Sequence, residues 1–89
     1  MEIEYNDILD KSKIIDIRSK LDYEEKNIGT KNLPRLVLLS DPGLYLNKKD
    51  RYYLLCDKGI ISASCARILN ALGYKCYSIK GGINNIFIV

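Results

Sequence analysis

The residues best able to do chemistry sit in one stretch, Cys56-Asp57-Lys58-Gly59-Ile60-Ile61-Ser62. Gly59 lets the backbone turn sharply, so the loop is expected to curl around the Cys56 sulfur. Its N–H groups, with the unpaired N–H groups in the first turn of a following helix, then point inward as an anion cradle. Such a cradle favours a thiolate and also binds an oxyanion substrate. The 89-residue chain has no histidine. A Ser-His-Asp triad, a Cys-His pair, an HExxH site and a His-ligated zinc are therefore excluded. Catalysis must draw on Cys, Lys, Arg, Ser, Tyr or a carboxylate, and a thiol activated by backbone N–H groups needs no imidazole.

The loop needs a strand before it and a helix after it, and the sequence supplies both. Arg51-Tyr52-Tyr53-Leu54-Leu55 reads as a strand running into Cys56. From Ile60 to Leu72, the apolar residues Ile61, Cys65, Ile68, Leu69 and Leu72 fall on one helical face, and Gly73 follows as a C′ residue. Upstream, Ile3 to Tyr5 reads as extended, and Asn6 as an N-cap opening a helical turn through Leu9. Lys13 to Ile17 is a buried strand. Ser19 caps an acidic helix from Lys20 to Lys26, which Gly29 breaks. Thr30 to Leu33 forms a brief strand. Pro34 at a helix N1 position, and Asp41-Pro42 as a cap and N1 pair, turn the β-prone Leu36–Ser40 region into two short helices. Asn47 to Asp50 is a polar turn. Cys76 to Ile79 is the last strand, Gly81-Gly82 the last turn, and residues 83–89 an apolar tail forming a final helical turn. Alternating strands and helices imply an α/β fold, a small parallel β-sheet flanked by helices on both faces, in a single domain spanning residues 1–89.

Fourteen basic and eleven acidic residues give a net charge of +3, too mild and too scattered to mark a nucleic-acid partner. The three cysteines, Cys56, Cys65 and Cys76, cannot all pair within one chain, and their spacing fits neither CxxC nor a zinc ribbon. No apolar run is long enough to span a membrane, and the acidic start Met1-Glu2-Ile3-Glu4 is unlike a signal peptide. A cytoplasmic location with free thiols is the expectation.

In this order and spacing the motifs resemble the rhodanese-like domain family, across nearly the whole chain. Ile14-Ile15-Asp16-Ile17-Arg18 resembles the family's strand motif. Asp22-Tyr23-Glu24-Glu25-Lys26-Asn27-Ile28 stands where the family has an acidic-aromatic pair followed by Gly-His-Ile. Asn32-Leu33-Pro34 is similar to its Asn-Ile-Pro, Cys56 to Ser62 to its Cys-x-x-Gly-x-x-Ser active-site loop, and Lys80-Gly81-Gly82-Ile83 to its closing Gly-Gly motif. The resemblance implies a sulfurtransferase in which Cys56 accepts sulfane sulfur from thiosulfate or a persulfide. A Cys56 persulfide then passes it to a thiol or cyanide. Residues Asp57, Lys58, Gly59, Ile60, Ile61 and Ser62 would bind the substrate, with Lys58 placing a charge against a thiosulfate dianion. Neither a cofactor nor a metal is expected. The implied partners are a small sulfur donor and a thiol acceptor, with no nucleic acid and no membrane.

The chain departs from the family pattern in three places. Many members carry Arg where this chain has Ile61. Asn27 and Lys26 replace the usual His and Gly. Asp57 sets a negative charge beside the nucleophile, opposing thiolate formation, with Lys58 to offset it. Two other classes compete with the enzyme: a non-catalytic rhodanese-like binding module using the same loop, and a cysteine phosphatase or arsenate reductase. A phosphatase loop needs Arg where this chain has Ser62, which weakens that reading. Cys65 and Cys76 read as core residues, and Ser62 as either a loop hydrogen-bonder or the helix cap. Asp16 is a strand-end carboxylate, and Arg18 a guanidinium able to pair with Glu24 or Glu25. The scattered tyrosines read as core-edge residues rather than a base-stacking platform, and Lys48-Lys49 as a solvated turn.

Overall fold

Side chains of successive strand residues point to opposite faces, and in this chain both sets are apolar. Ile14 and Leu55 are completely buried on one face while Ile15 and Leu54 are buried on the other. A strand apolar on both faces belongs inside a parallel sheet covered on both sides. The structure, a computed structural model, describes residues 1–87 and has that arrangement. Five strands, β1 (Glu2–Ile3), β2 (Ile14–Asp16), β3 (Lys31–Asn32), β4 (Arg51–Leu55) and β5 (Lys75–Ile79), form a sheet of order β1-β5-β4-β2-β3. Every pairing is parallel, and β4 lies in the centre, with Ile15 beside Leu54 and Tyr52 beside Cys76.

One face carries Ile15, Ile17, Tyr52, Leu54, Cys56 and Cys76, and packs on Leu38 of α2 (Arg35–Ser40) and on α3 (Ile60–Ala71). The opposite face carries Ile14, Leu55 and Ile79. It is covered by Ile8 and by Ile83 of α4 (Gly82–Ile86). The half-buried Tyr53 and Tyr77 stack side by side there, with ring centroids 5.7 Å apart, which suits their reading as core-edge residues.

Four local expectations are corrected. The first turn is a 3₁₀ turn, Tyr5–Asp7, closed by its own backbone. Asn6 sits inside it rather than capping it, and Leu9 lies outside, almost fully exposed. The acidic helix α1 (Lys20–Glu25) is capped by Ser19, whose hydroxyl accepts the Asp22 N–H. It ends at Glu25, one residue short of the expected Lys26, and the Asn27 side chain takes over before Gly29: its amide donates to the Tyr23 carbonyl and its oxygen accepts the Gly29 N–H. Pro34 is the residue before α2, not its N1, while a 3₁₀ turn does begin at Pro42 after Asp41.

The largest correction concerns α3. Its buried residues are Ser62, Cys65, Ala66 and Leu69, whereas Ile61, Ile68 and Leu72 remain about half exposed. The helix is rotated so that two small residues four apart, Ser62 and Ala66, lie against the sheet, which permits close approach. Its end follows the sequence signal: Gly73 has φ +99°, the Gly73 N–H donates to the Asn70 carbonyl, and the Tyr74 N–H donates to the Leu69 carbonyl. That is the Schellman pattern. At the C-terminus, α4 accounts for the start of the expected tail turn, and Ile88 and Val89 lie outside the described residues.

Candidate functional site

Beyond the carboxyl ends of parallel strands, backbone from several loops converges. Cys56 follows the central strand β4 directly and is 4% exposed. The chain from Cys56 to Gly59 must then double back into α3. Gly59 makes this possible with φ +88°, and a Cβ there would lie 3.0 Å from the Gly81 nitrogen. Underneath, α4 holds the loop by its carbonyls: the Ile83 N–H donates to Cys56 O at 2.8 Å, and the Asn84 N–H donates to Asp57 O at 3.1 Å. Gly82 lets α4 come this close, because a Cβ at that position would fall 2.5 Å from the Cys56 carbonyl oxygen. Carbonyls tied below leave the loop's N–H groups free to turn toward the sulfur.

Two of them do so. The Gly59 N–H donates to Cys56 Sγ at 3.1 Å and the Ser62 N–H at 3.3 Å. The thiol in turn donates to Ser62 Oγ at 3.1 Å. Ser62 Oγ shares a 2.6 Å hydrogen bond with Ser78 Oγ, and the Ser78 hydroxyl donates to the Gly59 carbonyl at 3.2 Å. Ser62 and Ser78 are both fully buried. Ser62 is therefore a partner of the sulfur and not the helix cap, a position Gly59 fills. Its hydroxyl has already been claimed from below.

The charges around the loop differ from the expectation. Arg18 does not pair with Glu24 or Glu25. Its guanidinium binds the Asp16 carboxylate through two nitrogens, at 2.8–3.2 Å, and also donates to the Lys26 carbonyl at 2.6 Å. Its remaining nitrogen lies 3.6 Å from Asp57 Oδ1. The Asp16 carboxylate holds the Arg18 pKa above its ordinary value, mainly through these hydrogen bonds. The geometry is favoured because Asp16 is fully buried at the end of β2, so its charge must be met in place. Arg18, rather than Lys58 alone, thus faces the Asp57 charge. Lys58 and Ile60 are exposed.

Two recesses open onto the sulfur and share Cys56, Asp57 and Ile61. One, of about 290 Å³, is lined further by Ser19, by the apolar Ile17, Pro34 and Leu36 and by the charged Arg18, Asp22 and Arg35. The other, of about 310 Å³, is lined by Lys58 and Ile60. The structure thus brings Cys56, Gly59 and Ser62 into direct contact and sets Asp57, Lys58, Ile60 and Ile61 around the openings. Sequence reading missed Ser78, Arg35 and the reach of Arg18 to the loop. Strand alternation puts Ser78 on the same face as Cys76, the only signal that could have flagged it. Cys65 and Cys76 lie in the interior, where burial pushes their thiols up to about 11 and about 12. Among the described residues, no cluster of three or more His, Cys, Asp or Glu could hold a metal ion, and no helix is long and apolar enough to cross a membrane.

Comparison with known proteins agrees with the fold. The rhodanese-like domain family matches residues 3–87. Among solved structures, a protein from Staphylococcus saprophyticus subsp. saprophyticus superposes with a TM-score of 0.77 at 24% identity, covering 88% of this chain and 78% of that one. A rhodanese-like domain protein from Staphylococcus aureus gives 0.74 at 27% identity, over 83% and 72% of the two chains. A rhodanese-related protein from Thermoplasma volcanium gives 0.73 at 25% identity, over 81% and 72%. None of the curated proteins compared matches the chain.

Proposed function

This chain belongs to the rhodanese-like domain family, and on that premise we propose that it is a sulfurtransferase working through a persulfide on Cys56. The observation that carries the reading is the Cys56 sulfur itself, which accepts hydrogen bonds from the Gly59 and Ser62 N–H groups at the mouth of two recesses. Donors aimed at a sulfur favour its charged form and orient it for attack. The thiolate attacks the outer sulfur of a donor and forms a new S–S bond to Cys56. The bond to the inner sulfur breaks, and its electron pair leaves with sulfite or a thiolate. An acceptor thiol or cyanide then takes the outer sulfur and returns the Cys56 thiolate. On this reading further loop N–H groups would receive the terminal sulfur of the persulfide.

The test is mass spectrometry of the Cys56 peptide after incubation with thiosulfate and with organic persulfides. The expected result is a gain of one sulfur, absent from the Cys56→Ser variant. No gain with any donor would overturn the enzymatic reading. The second reading, a binding module, is favoured by one observation: the Asp57 carboxylate stands half-exposed at the opening and repels anions. On that reading the loop still binds a ligand, and Cys56→Ser leaves binding intact.

A further inference from the structure

The strands of the sheet all run parallel, so their first residues share one end of the molecule, opposite the end that holds Cys56. With a rise of about 3.3 Å per residue along β4, the sulfur stands about 16 Å from the level of Arg51. The segments leading into β2, β4 and β5, residues 10–13, 47–51 and 73–75, gather charge that is dispersed along the sequence. They hold six of the fourteen basic residues and two of the eleven acidic ones. This end therefore carries four positive charges in excess, and the rest of the chain is left at minus one. Both carboxylates there are already engaged. Asp50 pairs with Lys13 at 3.3 Å, and Asp10 accepts from the N–H and the hydroxyl of Ser12. Lys48, Lys49, Arg51 and Lys75 make no ion pair among the described residues. Arg51 and Lys75 are exposed register partners on neighbouring strands, a like-charge pair that costs stability unless an anion from outside meets it. Lys48 reaches the same place, its ammonium 5.4 Å from the ring centroid of Tyr74.

Exposed apolar side chains stand at the same end. Leu9, on the loop into β2, is 99% exposed, and Met1, Leu44 and Leu72 are at least half exposed. Met1 precedes β1, its carbonyl accepting the Ser78 N–H, and Leu72 closes α3 ahead of β5. Leu44 ends the 3₁₀ turn beside Tyr74, where a Cβ on Gly43 would lie 3.4 Å from the tyrosine hydroxyl. Each of the three leucines is followed within four residues by a lysine: Lys11, Lys48 and Lys75. A lipid bilayer meets such a mixture residue by residue, with cations at the headgroup phosphates and single apolar side chains in the layer beneath. A nucleic-acid backbone would match the charge and leave the leucines in water. We propose that this end of the sheet docks on an anionic lipid surface, with Cys56 facing away from it. The contact is peripheral, since no helix among the described residues is long and apolar enough to cross a membrane. It departs from the expectation of no membrane partner, and it is independent of the sulfurtransferase reading.

The test is co-sedimentation of the full chain with vesicles of mixed phosphatidylserine and phosphatidylcholine, against vesicles of phosphatidylcholine alone, at low and at high salt. The expected result is binding to the mixed vesicles only, lost at high salt. Arg51→Gln combined with Lys75→Gln weakens it about twentyfold, the worth of two basic residues at an anionic surface. The denaturant midpoint of that variant stays level or rises as the repulsion is removed, which separates weaker binding from misfolding. Lys20→Gln combined with Lys80→Gln takes the same charge from the Cys56 end and leaves binding unchanged. Leu9→Ser weakens binding about fivefold. Equal binding to the two kinds of vesicle, or none to either, would overturn the inference. So would equal losses from the two double variants. Unaltered vesicle binding by Leu9→Ser would overturn it too, and a single-stranded oligonucleotide bound as tightly as the mixed vesicles would assign the surface to a polyanion instead.

Discussion

The chain holds its three cysteines at nearly equal burial, 4% exposed for Cys56, 1% for Cys65 and 0% for Cys76, yet in two unlike settings. At the end of β4 the sulfur is surrounded by polar groups: two backbone N–H groups that donate to it and a serine hydroxyl that accepts from the thiol. Between α3 and β5, Cys65 and Cys76 are packed among apolar side chains, and among the described residues no polar group is bonded to their sulfur atoms. Only the first setting holds its sulfur by hydrogen bonds that can orient it for attack. On the proposed reading the contrast separates a reactive cysteine from two that fill space, and each prediction below presses on it.

The largest effect belongs to the sulfur itself. Cys56→Ser is expected to abolish sulfur addition, because a serine hydroxyl at the same place cannot accept sulfane sulfur by exchange. Cys65→Ala and Cys76→Ala should leave sulfur addition within about twofold of the unaltered protein, and each should lower unfolding stability by about 1 kcal/mol. Peptide mass measurement and denaturant midpoints check both halves. A Cys65 or Cys76 variant that loses sulfur transfer while staying folded would erase the distinction.

Gly82→Ala attacks the support beneath the loop. A Cβ there meets the Cys56 and Asp57 carbonyls, both backbone atoms, and Gly82 has φ +63°. Neither the contact nor the dihedral can relax cheaply. The expected cost is about 2–4 kcal/mol, with loss of sulfur addition as the loop shifts. Gly29→Ala is the matched control, with φ +80° and nothing within 4 Å of the added carbon. It should cost only about 1 kcal/mol and leave sulfur transfer alone. Equal effects from the two would mean that the dihedral, not α4's close approach, is what the Gly-Gly turn protects.

Most of this contrast was legible before the structure. The strand into Cys56, the turn at Gly59 and the helix after it follow from β-propensity, a left-handed glycine and helical spacing, all local signals. The apolar stripe on α3 misled, because Ile61, Ile68 and Leu72 mark a helical face without saying which face meets the sheet. That choice was made by Ser62, whose N–H and hydroxyl bind the sulfur and whose small side chain allows close packing. A polar residue fully buried by a tertiary hydrogen bond has no signature in hydrophobic periodicity. Arg18 was assigned to Glu24 or Glu25 by proximity along the chain. Instead, the buried carboxylate of Asp16, two residues earlier, captures it. Ser78 and Arg35 lie 22 and 21 residues from Cys56, and only the closing of the sheet brings them near.

The interior pair makes its own pH prediction. Burial raises Cys65 from an ordinary 9.0 to about 11 and Cys76 to about 12. For a group whose folded pKa is raised, the unfolded chain loses its proton first as pH climbs. The stability these thiols contribute is therefore complete below pH 9 and is lost as pH rises through 11 and then 12. Denaturant midpoints should stay flat on this account up to about pH 9 and fall above it. Cys65→Ala combined with Cys76→Ala should flatten that fall. A fall of the same steepness in the double variant would assign it to other groups.

The smallest expected effect tests how deep the polar setting of Cys56 goes. Ser78 never touches the sulfur, but its hydroxyl lies 2.6 Å from Ser62 Oγ and donates to the Gly59 carbonyl. With the thiol protonated, donation runs from Cys56 to Ser62, from Ser62 to Ser78, and from Ser78 to Gly59. Once Cys56 has lost its proton, Ser62 must turn its hydroxyl hydrogen toward the sulfur, and Ser78 can then donate to Ser62 instead. Each of the two hydroxyls therefore keeps a partner in both states. Ser78→Ala removes that second arrangement and leaves Ser62 with one partner fewer in a dry site. The expected cost is about 1 kcal/mol in stability and a severalfold slower sulfur addition. Ser78→Thr, which keeps the hydroxyl, should restore the rate even where its extra methyl lowers stability. A Thr variant as slow as the Ala variant would make Ser78 a packing residue, and the polar setting would then end at Ser62.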